Sequence, residues 1–157
     1  MAKELTGPTG SFFEDTDAVH SSLRHPLGTR AYGPAGEEFI YLQGVISTVL
    51  GSVVTYDEDH VTTLIVADAV GRVAVAMAAI VASSYGWYQI YGKNENTGCD
   101  TIAADKACYI DGTAGRIDDA ATAGDWVAGM ISRSADSSSL CTVELNYPMV
   151  YDSGYLT

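Results

Sequence analysis

Residues 72–92, RVAVAMAAIVASSYGWYQIYG, join the longest apolar run of the chain to its densest group of aromatic residues. From residue 73 to residue 78, the large side chains of Val73, Val75 and Met77 alternate with alanines. An alternation with a period of two predicts an extended strand. Because both parities are apolar, we expect both faces of this strand to be buried.

The second half of the same stretch predicts a partner strand. A break at residues 83–86 (SSYG) is followed by an aromatic run in which Trp87, Gln89 and Tyr91 share one face and Tyr88 and Ile90 the other. Two alternating runs around such a break are typical of a β-hairpin. A helix over residues 73–82 is the alternative, because alanine favours helix and because periodicity alone does not distinguish a strand from a helix in a short apolar run.

The rest of the chain after residue 37 also consists of short apolar segments separated by glycine, aspartate and serine turns. The predicted strands are residues 38–43, 46–50, 52–56, 61–66, 101–104, 106–110, 126–132 and 140–147, with a small strand around residues 116–117, a loop at residues 93–98 and a stop at Pro148. About eight to ten short strands without an amphipathic helix predict an all-β barrel or sandwich.

Residues 1–36 differ in character from this predicted body at residues 37–150, and residues 151–157 form a short tail. Pro8, Pro26 and Pro34, together with several glycines, interrupt every regular pattern in residues 1–36. Because the segment is poor in apolar residues, we expect an extended N-terminal arm that is disordered when free and is held in place by a neighbouring subunit or another partner.

The composition excludes several classes of partner. The chain has 157 residues, a net charge of −12 and only 18% charged residues, so there is no basic cluster for nucleic acid or for an anionic membrane surface. The N-terminus lacks the apolar run of a signal peptide. The chain has an odd number of cysteines, which are Cys99, Cys108 and Cys141, and this indicates free thiols in a reducing cytoplasm. A Cys99–Cys108 bridge is the alternative.

No group of residues predicts catalysis, a metal or a cofactor. The acidic run at residues 57–59 with His60 is typical of a solvated turn, and His20 and His25 lie in the arm, where we expect no rigid scaffold. Asp118, Asp119 and Asp125 are the candidates for acid–base chemistry, but aspartate in a glycine- and alanine-rich loop more often caps the backbone. We therefore expect a protein that is not an enzyme, with a small hydrolase as the alternative.

The aromatic residues suit a protein–protein surface better than they suit chemistry. Tyr85, Trp87, Tyr88 and Tyr91 crowd one strand. Tyrosine and tryptophan offer a large rigid contact area with a polar tip, so we predict that this set contributes to a subunit interface. Packing in the core of the domain is the alternative.

Several of these segments together resemble the head decoration (capsid cement) proteins of tailed bacteriophages. The resemblance lies in residues 71–76 (GRVAVA) with 84–92 (SYGWYQIYG), and in residues 112–115 (GTAG) with 126–131 (WVAGMI) and 143–148 (VELNYP). Residues 26–30 (PLGTR), which lead to FIY at 39–41, are similar to the N-terminal lead of these proteins. The resemblance covers approximately residues 26–148.

This resemblance implies a viral structural protein, often a homotrimer, that is made in the bacterial cytoplasm and binds the outer surface of the virion. The arm would lie over major capsid protein subunits and clamp neighbours together. The residues predicted to contact the capsid are Phe12, Phe13, Leu23 and Leu27 for apolar docking, and Arg24 and Arg30 for pairing with acidic groups. A structural module of a phage tail, baseplate or fibre is the alternative.

Overall fold

The computed structural model of the protein describes residues 2–6 and 12–151, and it is built from β-strands. Thirteen strands, and no helix, occur in these two ranges. They are β1 Glu4–Thr6, β2 Phe12–Asp15, β3 Val19–His20, β4 Arg30–Tyr32, β5 Glu38–Gln43, β6 Val53–Tyr56, β7 Thr62–Leu64, β8 Gly71–Ala76, β9 Tyr85–Gly98, β10 Ala107–Ile110, β11 Ile117–Asp118, β12 Trp126–Ser132 and β13 Leu140–Val150. The all-β prediction is therefore confirmed.

The central hairpin is formed by β8 and the first half of β9, as predicted. The two strands pair antiparallel through Val75↔Gln89 and Ala76↔Tyr88. β6 pairs with the other edge of β8, and β5 pairs with the other edge of β9. The side chains of residues 73–76 are buried on both parities. Both faces of this strand are thus covered, and the helical alternative is wrong.

A second layer is formed by β11, β10, β12, β13 and the second half of β9. β9 reaches both layers because its partner changes along its length, from β5 at residues 85–91 to β13 at residues 91–98. Gly92, which has a φ of +92°, lies at this change, and a Cβ there would come within 3.1 Å of Glu37 Cα. β13 also pairs with β8, so β9 and β13 together connect the layers into one sandwich-like sheet.

The core divides into three clusters that follow the two faces of the central strands. Val75 faces the second layer and packs in the largest cluster with Val127 and Val143. Ala76 and Tyr88 face the opposite way, in a second cluster. The third cluster lies beside β4 and β5 and consists of Leu5, Ala31, Phe39, Tyr41 and Trp87. Burial on both faces is the reason that this region is apolar on both parities.

The described part of the N-terminal segment belongs to the same sheet. β4 pairs with β5 through Ala31↔Phe39, β1 pairs with β2 and β4, and β3 pairs with the start of β9 through Val19↔Gly86. Leu5 is fully buried. Contrary to our expectation, a neighbouring molecule is not needed to explain this order, because backbone pairing and the third cluster fix the segment on its own domain.

Several predicted boundaries are wrong. Residues 93–98 were predicted as a loop but continue β9, and β13 continues through Pro148 to Val150. Residues 46–50 and 101–104 were predicted as strands but form turns and irregular loop. β8 ends at Ala76, so the connection to β9 spans residues 77–84 and is longer than the predicted turn.

The three cysteines are buried and free, as predicted for thiols that form no disulfide framework. Burial raises the pKa of each thiol, to about 12 for Cys108. Because the thiolate is the reactive form of cysteine, these side chains act as small apolar residues of the core. The alternative Cys99–Cys108 bridge is absent.

Candidate functional site

One end of the central sheet, which we call the loop end, brings together two long connections that carry exposed apolar residues. β5 and β8 finish there and β6 and β9 begin there, so the loops at residues 44–52 and 77–84 lie side by side. The Gly44 N–H donates to the carbonyl oxygen of Ser84 over 2.8 Å. β3 reaches the same end because Val19 pairs with Gly86.

The loop end is unusually apolar for a surface that faces water. Its exposed apolar side chains are Val19, Ile46, Val49, Leu50 and Val81, and Ile46 is 71% exposed. Leu23 is exposed in the turn that follows β3. Single exposed apolar residues are ordinary, but a group of them on adjoining loops marks a contact surface.

A groove with a volume of about 380 Å³ runs along one side of the loop end. Val49 and Leu50 form one wall, and the turn at residues 113–116 and residues 138–140 form the other. Arg116 adds a basic side chain to this lining. The GTAG segment that contributes to the family resemblance therefore lies against the apolar loop.

Sequence reasoning missed the contribution of residues 46–50, because their apolar residues were interpreted as a strand. Ser47 has a φ of +69°, and Thr48 donates from both its N–H and its hydroxyl to the carbonyl oxygen of Val45. These are turn interactions, and serine and threonine between apolar residues are the signal that predicts them.

A carboxylate at Glu14 fastens the N-terminal strands to the third core cluster. Glu14 Oε1 accepts a 2.6 Å hydrogen bond from Trp87 Nε1 and lies 2.6 Å from His25 Nε2. Glu14 Oε2 lies 3.2 Å from His20 Nε2, and His20 Nδ1 lies 2.8 Å from the Tyr41 hydroxyl. The expectation that the arm offers these histidines no rigid scaffold is thus wrong.

The residues predicted to contact the capsid do not lie on one surface. Leu23 and Arg24 are exposed. Leu27 is half-buried and packs against the third core cluster, and Arg30 forms a 2.8 Å ion pair with Glu38. The side chains of Phe12 and Phe13 lie outside the described part of the structure. Leu23 and Arg24 therefore remain available for an external contact, whereas Leu27 and Arg30 already serve their own domain.

The predicted subunit interface is divided between core and surface. Trp87 and Tyr88 are fully buried, so in this fold they stabilise the domain and offer no contact area. Tyr85 is half-buried beside Tyr41, and Tyr91 is exposed beside Tyr147. Of the four, Tyr91 has the surface position that an interface needs.

The candidate acids bind backbone groups. Asp118 accepts from the N–H of Ala120, Asp119 from that of Ala103, and Asp125 from that of Asp68, over distances of 2.9–3.0 Å. Burial, with Asp111 and Asp119 nearby, raises the pKa of Asp118. Each carboxylate holds a different loop, which is the capping role that aspartate has in turns.

The acidic turn before His60 has a similar local role. Asp57 Oδ1 accepts hydrogen bonds from the N–H groups of Asp59 and Val61. Across residues 2–6 and 12–151, no three histidine, cysteine or acidic side chains are arranged to hold a metal ion.

Comparisons with protein-family models, with curated proteins and with solved structures found no match to this chain. Among the described residues, no helix is long and apolar enough to span a bilayer.

Proposed function

We propose that this protein is a capsid decoration protein, which binds the outer surface of a phage head and clamps neighbouring major capsid protein subunits. The observation that carries the proposal is the loop end, where Ile46, Val49, Leu50 and Val81 hold apolar side chains in water. Such a surface gains free energy when another protein covers it, at about 25 cal/mol for each Å² of apolar area removed from water.

The charges around this surface support the same partner. The chain has 20 acidic residues and only 8 lysines and arginines, yet Arg116 lines the groove at the loop end and Arg24 is exposed beside Leu23. An apolar contact bordered by arginines suits a shell surface that carries acidic groups. The acidic remainder of the protein keeps the outside of the particle soluble.

The N-terminal segment would bind the capsid as a folded part of the domain and not as a disordered arm, because its strands pair with β5 and β9. Its described residues pair with the body, so they present Leu23 and Arg24 as part of a preformed surface. A preformed surface loses less conformational entropy on docking than a disordered arm does. Several identical contacts on one shell then raise the overall affinity through avidity.

The test is cosedimentation of the purified protein with empty heads assembled from the major capsid protein of the phage. Ile46→Asp places a charge in the proposed contact at a side chain that is already exposed, so the fold should persist and binding should fall at least tenfold. Val70→Asp is the matched control, because Val70 is 56% exposed in the loop before β8, at the opposite end of that strand from the loop end.

Equal binding by wild type and Ile46→Asp would contradict the loop end as the contact surface. If the wild-type protein does not bind heads but binds isolated tails or baseplates, the alternative of a tail or fibre module replaces the proposal.

A further inference from the structure

β13 of the second layer has a β-bulge opposite Gly129 of β12. β12 and β13 pair through Ala128↔Met149 and then Met130↔Leu145, so the register shifts between them. Gly129 has a φ of +80°, and a Cβ there would lie 2.6 Å from the carbonyl oxygen of Asn146. Only glycine fits this β-bulge without displacing β13.

The bulge turns Tyr147 outward. Leu145 and Pro148 are both buried, so the regular alternation of a strand is broken and Asn146 and Tyr147 are both exposed. Tyr147 has a φ of +46°, a conformation that costs free energy for a side chain of this size. Bulges often redirect a side chain next to a binding site.

Tyr147 is held in place beside a second exposed ring. Its ring centroid lies 5.2 Å from that of Tyr91, with 32° between the planes. The Tyr147 hydroxyl donates to Glu38, which is paired with Arg30. The hydrogen bond to the Glu38 carboxylate favours the protonated phenol and raises the pKa of Tyr147 to about 12. The rings of Tyr91 and Tyr147 thus form an exposed aromatic surface, which we call the platform, and the hydrogen bond to Glu38 holds the Tyr147 ring in place.

A groove with a volume of about 360 Å³ opens beside this platform. Tyr91 forms its aromatic side, and Gly92 and Leu145 also line it. Its polar lining consists of Lys93, Arg133, Thr142, Glu144 and Asn146. The volume is at the low end of the roughly 300–1,000 Å³ that small-molecule sites occupy.

The charged groups of this groove are already balanced. Arg133 bonds Glu144 over 2.9 Å and Asp105 over 2.8 Å, and Lys93 lies 2.6 Å from Glu95. A phosphate or a carboxylate would meet these acids and gain little. The paired side chains still offer directed donors and acceptors to a neutral polar ligand.

We propose that this groove, which we call the Tyr91 groove, binds a neutral saccharide of one or two rings on the solvent-facing side of the protein. One face of a pyranose carries C–H groups that pack on an aromatic ring, and its edges carry hydroxyls that pair with arginine, carboxylate and amide groups. The Tyr91 groove places these two kinds of surface next to each other. An apolar peptide would cover the polar side chains of the groove without replacing their hydrogen bonds to water.

The proposal is independent of capsid binding, because the lining residues belong to β9 and β13 and to Arg133, which follows β12, and not to the loops at residues 44–52 and 77–84. It adds a ligand-binding surface to the domain. Tyr91 then serves this surface rather than the subunit interface predicted from the sequence.

The test uses the full chain on a microarray of neutral and sialylated glycans, followed by calorimetry with the neutral glycan that binds best. Wild-type protein should bind neutral glycans, and Tyr91→Ala and Asn146→Ala should each lower the affinity at least tenfold while the thermal unfolding midpoint shows that the domain is folded. Trp126→Ala is the matched control, because it removes an exposed aromatic side chain from the far end of β12 and should leave the affinity unchanged.

Three results would overturn the proposal. They are a wild-type protein that binds no neutral glycan, binding confined to sialylated glycans, and a folded Tyr91→Ala variant with wild-type affinity. Mutual association of the chain that Tyr91→Ala abolishes, without glycan binding, would instead assign the platform to a subunit contact.

Discussion

Replacement of Glu14 by alanine tests whether the N-terminal segment is part of the folded domain. The carboxylate joins β2 to β9 through the 2.6 Å hydrogen bond from Trp87 Nε1, and it lies 2.6 Å from His25 Nε2. Trp87 is fully buried, so this donor is separated from water. A hydrogen bond to a charged acceptor contributes about 1.5–3 kcal/mol in such a setting.

The two histidine contacts add less, because water reaches those side chains. At about 0.5 kcal/mol each, they bring the expected loss to about 2.5–4 kcal/mol of unfolding free energy for Glu14→Ala. Glu95→Ala is the matched control, since Glu95 is exposed and makes a surface pair with Lys93. Its expected effect is below about 0.5 kcal/mol.

The assay is urea unfolding monitored by tryptophan fluorescence in a Trp126→Phe background. The chain has two tryptophans, so Trp87, whose Nε1–H donates to Glu14, becomes the only tryptophan reporter in this background. If Glu14→Ala unfolds within about 0.5 kcal/mol of the background, the effect expected of an exposed ion pair, Glu14 does not fasten the segment to the core.

Three further predictions concern stability. Burial opposes ionisation of Glu37, but hydrogen bonds from Lys3 and from backbone N–H groups outweigh it and lower its pKa from 4.5. The ionised carboxylate therefore contributes its full stabilisation above pH 4.5, and this contribution is lost as the pH falls through the lowered pKa. Urea titrations should show that Lys3→Met loses less unfolding free energy in acid than the wild type does, and an equal loss would contradict the pairing of Lys3 with Glu37. Gly51→Ala, at φ +87°, would press a Cβ against a backbone carbonyl oxygen and should lower the unfolding free energy by at least about 2 kcal/mol. Gly36→Ala, at φ +86° with open space around it, should lower it by about 1 kcal/mol. Thermal unfolding compares the two variants, and equal losses would contradict the steric explanation. The buried Tyr88 hydroxyl makes no hydrogen bond of ordinary geometry among the described residues, although the side chains of Thr48 and Thr62 are close to it. Tyr88→Phe should therefore leave the unfolding free energy within about 1 kcal/mol of wild type in urea, and a loss above about 2 kcal/mol would disprove this.

The central hairpin was predictable because its signal is local. The alternation of valine and alanine from Val73 to Ala76 shows both the strand and the burial of its two faces. By contrast, the extension of β9 through residues 93–98 has no such signal. These residues are polar, and they are held by pairing with β13, by the buried Asn94 side chain and by its hydrogen bonds with Gln89 and Thr97.

The functional surfaces were less predictable, because they depend on contacts between distant segments. The histidines of the N-terminal segment acquire a scaffold only when β3 pairs with β9. Tyr147 is exposed because β13 bulges at residues 146–148, opposite Gly129 of another strand. The aromatic run predicts a subunit interface, but the number of aromatic residues does not indicate that Trp87 and Tyr88 face inward whereas Tyr91 faces water.

We propose that the loop end lies against the capsid shell while the Tyr91 groove faces outward. Cryo-electron microscopy of decorated heads, at a resolution that places individual strands, measures this orientation directly. We expect residues 44–52 and 77–84 to contact the major capsid protein and Tyr91 and Tyr147 to lie on the distal side. Density for this protein on the tail alone, or a decorated head with Ile46 pointing to solvent, would contradict it.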